Sequence, residues 1–197
     1  MLVGDVVGMG RNPVVAQVIE PPPVKLIMGL IVTPEAPVAA VRRHLKAAYG
    51  RIDFETTVLP FVWTRYYERE MGPMLQRQFW SFERLIAADA LADIKRQTNA
   101  TEQVFAGRGG QRRINLDPGY IDLAKLVLAT TKDQQHRLYL GQGIYAEVTL
   151  RFTGGRFVPW DWTYPDYRTA EYLAFFDAVR QRYRQQLLAL RAEPQHV

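Results

Sequence analysis

Residues 112–155 read RRINLDPGYIDLAKLVLATTKDQQHRLYLGQGIYAEVTLRFTGG, and WTYPDY follows at 162–167. Apolar and polar side chains alternate here in short runs broken by Gly-containing turns, the pattern of antiparallel strands in hairpins. Arg113, Asn115 and Asp117 alternate with Ile114 and Leu116 in one strand. That strand is expected to end in Asp117-Pro118-Gly119-Tyr120, a sequence suited to a type II turn. Leu126–Thr131 fits a helix or a strand. His136–Leu140 and Ile144–Phe152 read as strands joined by Gly141-Gln142-Gly143, and Thr153-Gly154-Gly155 leads into Arg156–Trp160. In the Ile144 strand, Tyr145, Glu147, Thr149 and Arg151 should share one face, and Ala146, Val148, Leu150 and Phe152 the core face.

These strands carry Arg113, Asp117, Lys125, Lys132, His136, Arg137 and Glu147 where ordinary strands carry Ser, Thr or Gln. Charges on a sheet cost desolvation unless they meet partners or a ligand. The stretch therefore locates a polar cleft without naming a reaction.

Upstream, Val24–Val32 (VKLIMGLIV) is nearly continuous in apolar residues and reads as a central strand. Thr33-Pro34-Glu35 has the composition of a helix start, and Val38, Val41, Leu45 and Ala48 follow at helical spacing before Gly50. Ile52–Val58 alternates as a second strand. FVWTRYYEREMGPM should begin helical and stop at Gly72-Pro73; Leu75–Phe82 alternates as a third strand. Asp89 is a candidate cap for a helix from Ala90 to about Phe105. A last long helix begins near Thr169, with Leu173, Phe176, Val179, Tyr183, Leu187 and Leu190 as its buried stripe. The expected fold is a single α+β domain over residues 23–193. It has a mixed or largely antiparallel sheet, helices mainly on one face, and a long C-terminal helix. Residues 1–22, with their PPP run, are expected outside the core.

The 197 residues contain no Cys, which removes disulfides, thiolate metal sites and Cys nucleophiles and suits a cytoplasmic protein. No run approaches the ~18 apolar residues of a membrane span. The net charge of +5 favours acidic partners, although Arg outnumbers Lys twenty to five, as a GC-rich genome alone would produce.

In so Arg-rich a chain, a retained Lys marks either a need for a compact ammonium or chance retention among only five. Lys95, Thr98, Asn99 and Glu102 stack on one helix face. They line a ligand cleft or form a solvated surface. Lys95, Asn99, Asp117, Lys125, Lys132 and Arg137 are the candidate ligand-binding residues. His136 and Glu147 are the candidate acid–base pair, because His titrates near neutral pH. The competing reading is a cross-strand Arg137–Glu147 pair beside an exposed His136. Asp117, Asp122 and Glu147 would hold Mg²⁺ only with a phosphate ligand present. The aromatic WDWTYPDYR segment could stack on a base or clamp the core edge. Phosphate-loop, serine-elbow, H-E-x-x-H and G-x-G-x-x-G motifs are absent, and with three His no multi-His metal site is expected.

The segments PVKLIMGLI, YYEREMG, LADIKRQTNATE, NLDPGYIDLAKLVLATTKD, HRLYLGQGIYAEVTL and WTYPDYR together resemble an uncharacterised bacterial family catalogued as a domain of unknown function (number 4416). The resemblance covers about Pro23 to Leu190. It implies no catalytic residues, since the family has no established activity. Members are sometimes labelled GTP-binding proteins, but TTKDQ is not the N/T-K-x-D pattern that reads guanine. The expected function is binding of, and action on, a phosphate-bearing small molecule or nucleotide. The alternative is a non-enzymatic RNA-binding or assembly module with a basic surface.

Overall fold

The computed structural model describes residues 17–192, so most of the expected extension lies outside the described residues. The elements run β1 (Val24–Val32), α1 (Val38–Tyr49), β2 (Ile52–Glu55), β3 (Leu59–Pro60), α2 (Glu68–Met71), β4 (Gln76–Ile86), α3 (Leu91–Val104), β5 (Ile114–Ile121), β6 (Lys125–Thr130), β7 (Arg137–Gly141), β8 (Ile144–Thr153), β9 (Arg156–Pro159) and α4 (Ala170–Ala192). The strands form one antiparallel sheet ordered β2-β4-β1-β5-β6-β8-β7, with β3 on β4 and β9 on β8. The fold is a single α+β domain with a long C-terminal helix.

All nine residues of β1 are buried because both faces of the sheet are covered. Leu26, Met28, Leu30 and Val32 pack with Val41, Leu45 and Tyr49 of α1 and Ile94 of α3. Ile27 faces the other side, where Tyr172, Phe175, Phe176 and Val179 of α4 close over Phe79 and Leu150. A strand buried on both sides loses its polar alternation, which is why VKLIMGLIV is continuously apolar. Two long helices thus share one face, and the C-terminal helix covers the opposite one.

Several local expectations change. Helix α1 begins at Val38, not at Thr33: Ala36 precedes Pro37, and a residue before proline is steered away from helical backbone. Asp89 makes no cap; it lies in a 3₁₀ turn over Ala88–Ala90. Of the ambiguous stretch Leu126–Thr131, all but Thr131 lies in β6. In β8 the pairing with β6 slips by one residue between Val127↔Val148 and Leu126↔Leu150. The extra residue is Thr149, a β-bulge that reverses the faces beyond it. Ala146 and Val148 therefore pack beneath α3, whereas Leu150 and Phe152 pack beneath α4, the face that Glu147 shares with its partner Leu128.

The expected Asp117-Pro118-Gly119-Tyr120 turn is instead the second half of β5. Thr33 N–H donates to the Arg113 carbonyl, so odd residues of β5 turn their N–H groups to β1 and even residues turn theirs to β6. Pro118 is even and lacks the donor the next β5–β6 bond requires. The β5–β6 ladder holds from Gly119↔Leu128 to Ile121↔Leu126 and stops there, while the β1–β5 ladder continues to Val32↔Ile114. Gly119 is needed at the last pair: a Cβ there would lie 2.4 Å from the Val127 carbonyl oxygen. Beyond Pro118 the sheet is parted.

Candidate functional site

The parted strands open a cleft of about 1010 Å³. Its walls come from α3, the starts of β4 and β5, the end of β6, β8, the 61–70 segment and residues 164–167. Because the sheet is open here, groups from both of its faces meet.

On the β5 side the peptide of Leu116 would be exposed in a buried place. Lys95 Nζ donates to its carbonyl at 2.8 Å, and its N–H donates to Glu102 Oε1 at 2.6 Å. Both side chains come from α3, about two turns apart along the face predicted from their spacing. They replace the missing strand, since buried backbone groups must be paired. Lys95 also reaches through the gap to Asp117 Oδ1, 3.6 Å away on the other face. Burial raises the Glu102 carboxyl above the usual range, opposed by Lys95 and the Leu116 amide.

Asp117 Oδ2 accepts from Asn115 Nδ2 at 2.7 Å and lies 3.5 Å from Arg77 Nη1. Arg77 is 2% exposed. Its guanidinium lies over Phe79, with Nη2 donating to the Tyr167 hydroxyl at 2.7 Å and standing 4.0 Å from Asp166. Burial lowers its proton affinity, but Tyr167, Asp166 and Asp117 more than reverse that, so it stays charged. Gly29 makes room for it, since a Cβ there would meet Nη2 at 3.0 Å. Asp166 is raised by burial, against the pull of Arg77. Arg112 bridges Glu102, Asn115 and Glu70 at the rim.

On the opposite wall Glu147 is 2% exposed. Oε2 accepts from Arg137 Nε at 2.9 Å and contacts His136 Nε2 at 3.1 Å; Oε1 accepts from Thr149 at 3.3 Å. Arg137 and Glu147 are also register partners, so both the cross-strand pair and the His contact are present. His136 is not exposed, because it stacks on Trp162, which stacks on Trp160. Arg137 further donates to the Lys132 carbonyl and the Tyr164 hydroxyl, both at 2.9 Å. Lys132 Nζ donates to the Tyr66 hydroxyl at 2.8 Å and sits 4.1 Å from a ring centroid of the same residue.

The cleft thus gathers Lys95, Asn99, Asp117, Lys132, Arg137 and Glu147, with His136 behind Glu147. Lys125 does not join them: it lies at the far end of β6, held by Asp122 at 2.6 Å. The Asp117, Asp122 and Glu147 carboxylates are not gathered either, each being engaged by its own partners, and among the described residues no group of three or more His, Cys, Asp or Glu could hold a metal ion. Residues missed in the sequence are Arg77, Arg112, Asn115, Asp166 and Tyr167. The available signal for Arg77 was Gly29, a glycine inside an apolar central strand, which marks close approach of another group. In the 107–111 loop, the amides of Gly107, Gly109 and Gly110 donate within the loop, so they do not cradle an anion.

The family described as Domain of unknown function (DUF4416) matches residues 22–183. The chain belongs to that family. The match runs from β1 into α4 and takes in every residue that lines the cleft. No curated protein and no solved structure matches the chain.

Proposed function

We propose that the cleft binds a phosphate-bearing small molecule or nucleotide, with Lys132 as the anchor for the anion. The observation that carries this reading is the pairing pattern of the lining cations. Arg77, Lys95, Arg112 and Arg137 each face a carboxylate within 4.0 Å. The Lys132 ammonium, among the described residues, meets only the hydroxyl and ring of Tyr66. An exposed ammonium with no counter-charge retains its capacity for an anion, whereas the paired cations would have to exchange partners first. Trp63, Tyr66 and Tyr164 stand exposed around the same opening and offer flat surfaces to a planar group.

Within this reading Glu147 positions Arg137, and His136 supports Glu147. A buried carboxylate already accepting from Arg137 and Thr149, with the His136 ring against it, is poorly placed to take a substrate proton. Magnesium would enter only with the phosphate. A thermal-shift screen over nucleotides and sugar phosphates tests the proposal: a ligand at 100 times its Kd stabilises by about 2.7 kcal/mol. Absence of a shift with every phosphate compound rejects it.

The RNA-binding alternative draws less support. Two Arg side chains of α4, Arg180 and Arg182, lie over the rings of Phe152 and Phe54. Retention of single-stranded RNA that falls steeply with salt would restore that alternative.

A further inference from the structure

The parted sheet leaves main-chain groups on β6 as well as on β5, and the two sides are treated differently. Phe152 N–H donates to the Ala124 carbonyl, and Asp122 N–H donates to the Lys125 carbonyl. Even residues of β6 therefore turn their peptide groups to β8, and odd residues turn theirs to β5. The Ala129 carbonyl points to where the Pro118 N–H would be, and proline has none. Thr130 pairs with Tyr145 of β8. A trans peptide holds its C=O and N–H in opposite directions, so the Thr131 N–H points away from β8, into the cleft. Its counterpart across the gap is Leu116, whose own polar groups are taken by Lys95 and Glu102. Among the described residues, no side chain or loop peptide takes up either the Ala129 carbonyl or the Thr131 amide. Ala129 is 4% exposed, and both residues line the cleft. A buried main-chain acceptor beside a donor, left without a strand, is a place for a ligand's polar edge.

We propose that the Ala129 carbonyl and the Thr131 amide form a two-point main-chain site for a planar ligand edge that carries a hydrogen-bond donor next to an acceptor. A nucleobase edge or a carboxamide supplies that chemistry. This rests on the reading of the cleft as a phosphate-ligand site, because Lys132, the residue after Thr131, would hold the anionic end of the same molecule.

The test uses titration calorimetry on the full chain with the four common nucleoside 5′-monophosphates, nicotinamide mononucleotide and ribose 5-phosphate. At least one base-bearing compound should bind about tenfold or more tightly than ribose 5-phosphate, the margin two net hydrogen bonds supply. A winning nucleotide places the edge on a nucleobase, and a winning nicotinamide compound places it on a carboxamide. N-methylation of the winning edge should erase the margin. Pro118→Ala should erase it too, by giving Ala129 the missing N–H, while ribose 5-phosphate affinity holds. If ribose 5-phosphate binds as well as every base-bearing compound, the main-chain site is wrong and the phosphate cleft stands. A folded Pro118→Ala protein with its margin intact also overturns the site. If none of the probes binds, the phosphate reading fails and takes this proposal with it.

Discussion

A single methyl group measures how closely β5 and β6 approach before they part. At Gly119 the added carbon would meet the main chain of Val127, not a flexible side chain. Gly119→Ala should therefore destabilise the protein by about 1–3 kcal/mol, the usual cost of overpacking, read as a lower denaturant midpoint at unchanged slope. Lys132 offers the opposite case, since its side chain is exposed and joins no ion pair among the described residues. Lys132→Ala should leave the thermal midpoint of the free protein unchanged and weaken the best phosphate ligand by roughly tenfold or more, the worth of a charge-assisted hydrogen bond. Equal affinity in the variant would remove Lys132 as the anchor.

At the scale of elements, the join between α4 and the sheet is unusually polar. Lys25 of β1 is fully buried, ion-paired with Asp53 of β2 and hydrogen-bonded to Gln186 of α4 at 2.8 Å. Ser81 of β4 donates to the other oxygen of Asp53 at 2.6 Å. Burial depresses the proton affinity of Lys25, against the opposing pull of Asp53. One ammonium thus ties three elements at a point where two strands and a helix converge. Asp53→Ala leaves that charge buried and unpaired, and should cost about 3–5 kcal/mol. Adding Lys25→Met should recover most of the loss, because replacing a buried pair by apolar groups is often close to neutral. Chemical denaturation of both variants checks this; a double variant as unstable as the single one would show that the ammonium is not the cause.

At the scale of the whole molecule, the tyrosines that brace both faces of the sheet set its alkaline limit. Burial pushes the hydroxyls of Tyr49 of α1 and Tyr172 of α4 up to about 12. Each folded-state value lies above that of the unfolded chain, so the native state holds these protons more tightly. Their contribution is complete below about pH 10 and is lost as pH rises toward 12. Phenolate absorbance and loss of ellipticity should therefore rise together in that window, and ionisation of Tyr49 and Tyr172 well before unfolding would contradict it. Most of the strands, the three long helices and the paired charges of the β7–β8 hairpin were legible in the chain, because alternation, helical spacing and turn residues act over a few neighbours; β6 stayed open between helix and strand. So was the Lys95–Glu102 face. The site itself was not. Pro118-Gly119 reads as a turn, and only the neighbouring strand decides that it is where a ladder fails. Thr149 reads as one more alternating residue until its partner strand shows it to be a bulge. Arg77 carries no local mark, because its partners lie on β5 and before α4, forty and ninety residues along the chain. Sequence determined the elements through local sterics and burial. Tertiary structure decided where two of them separate, since that depends on which peptide groups meet across strands distant in the chain.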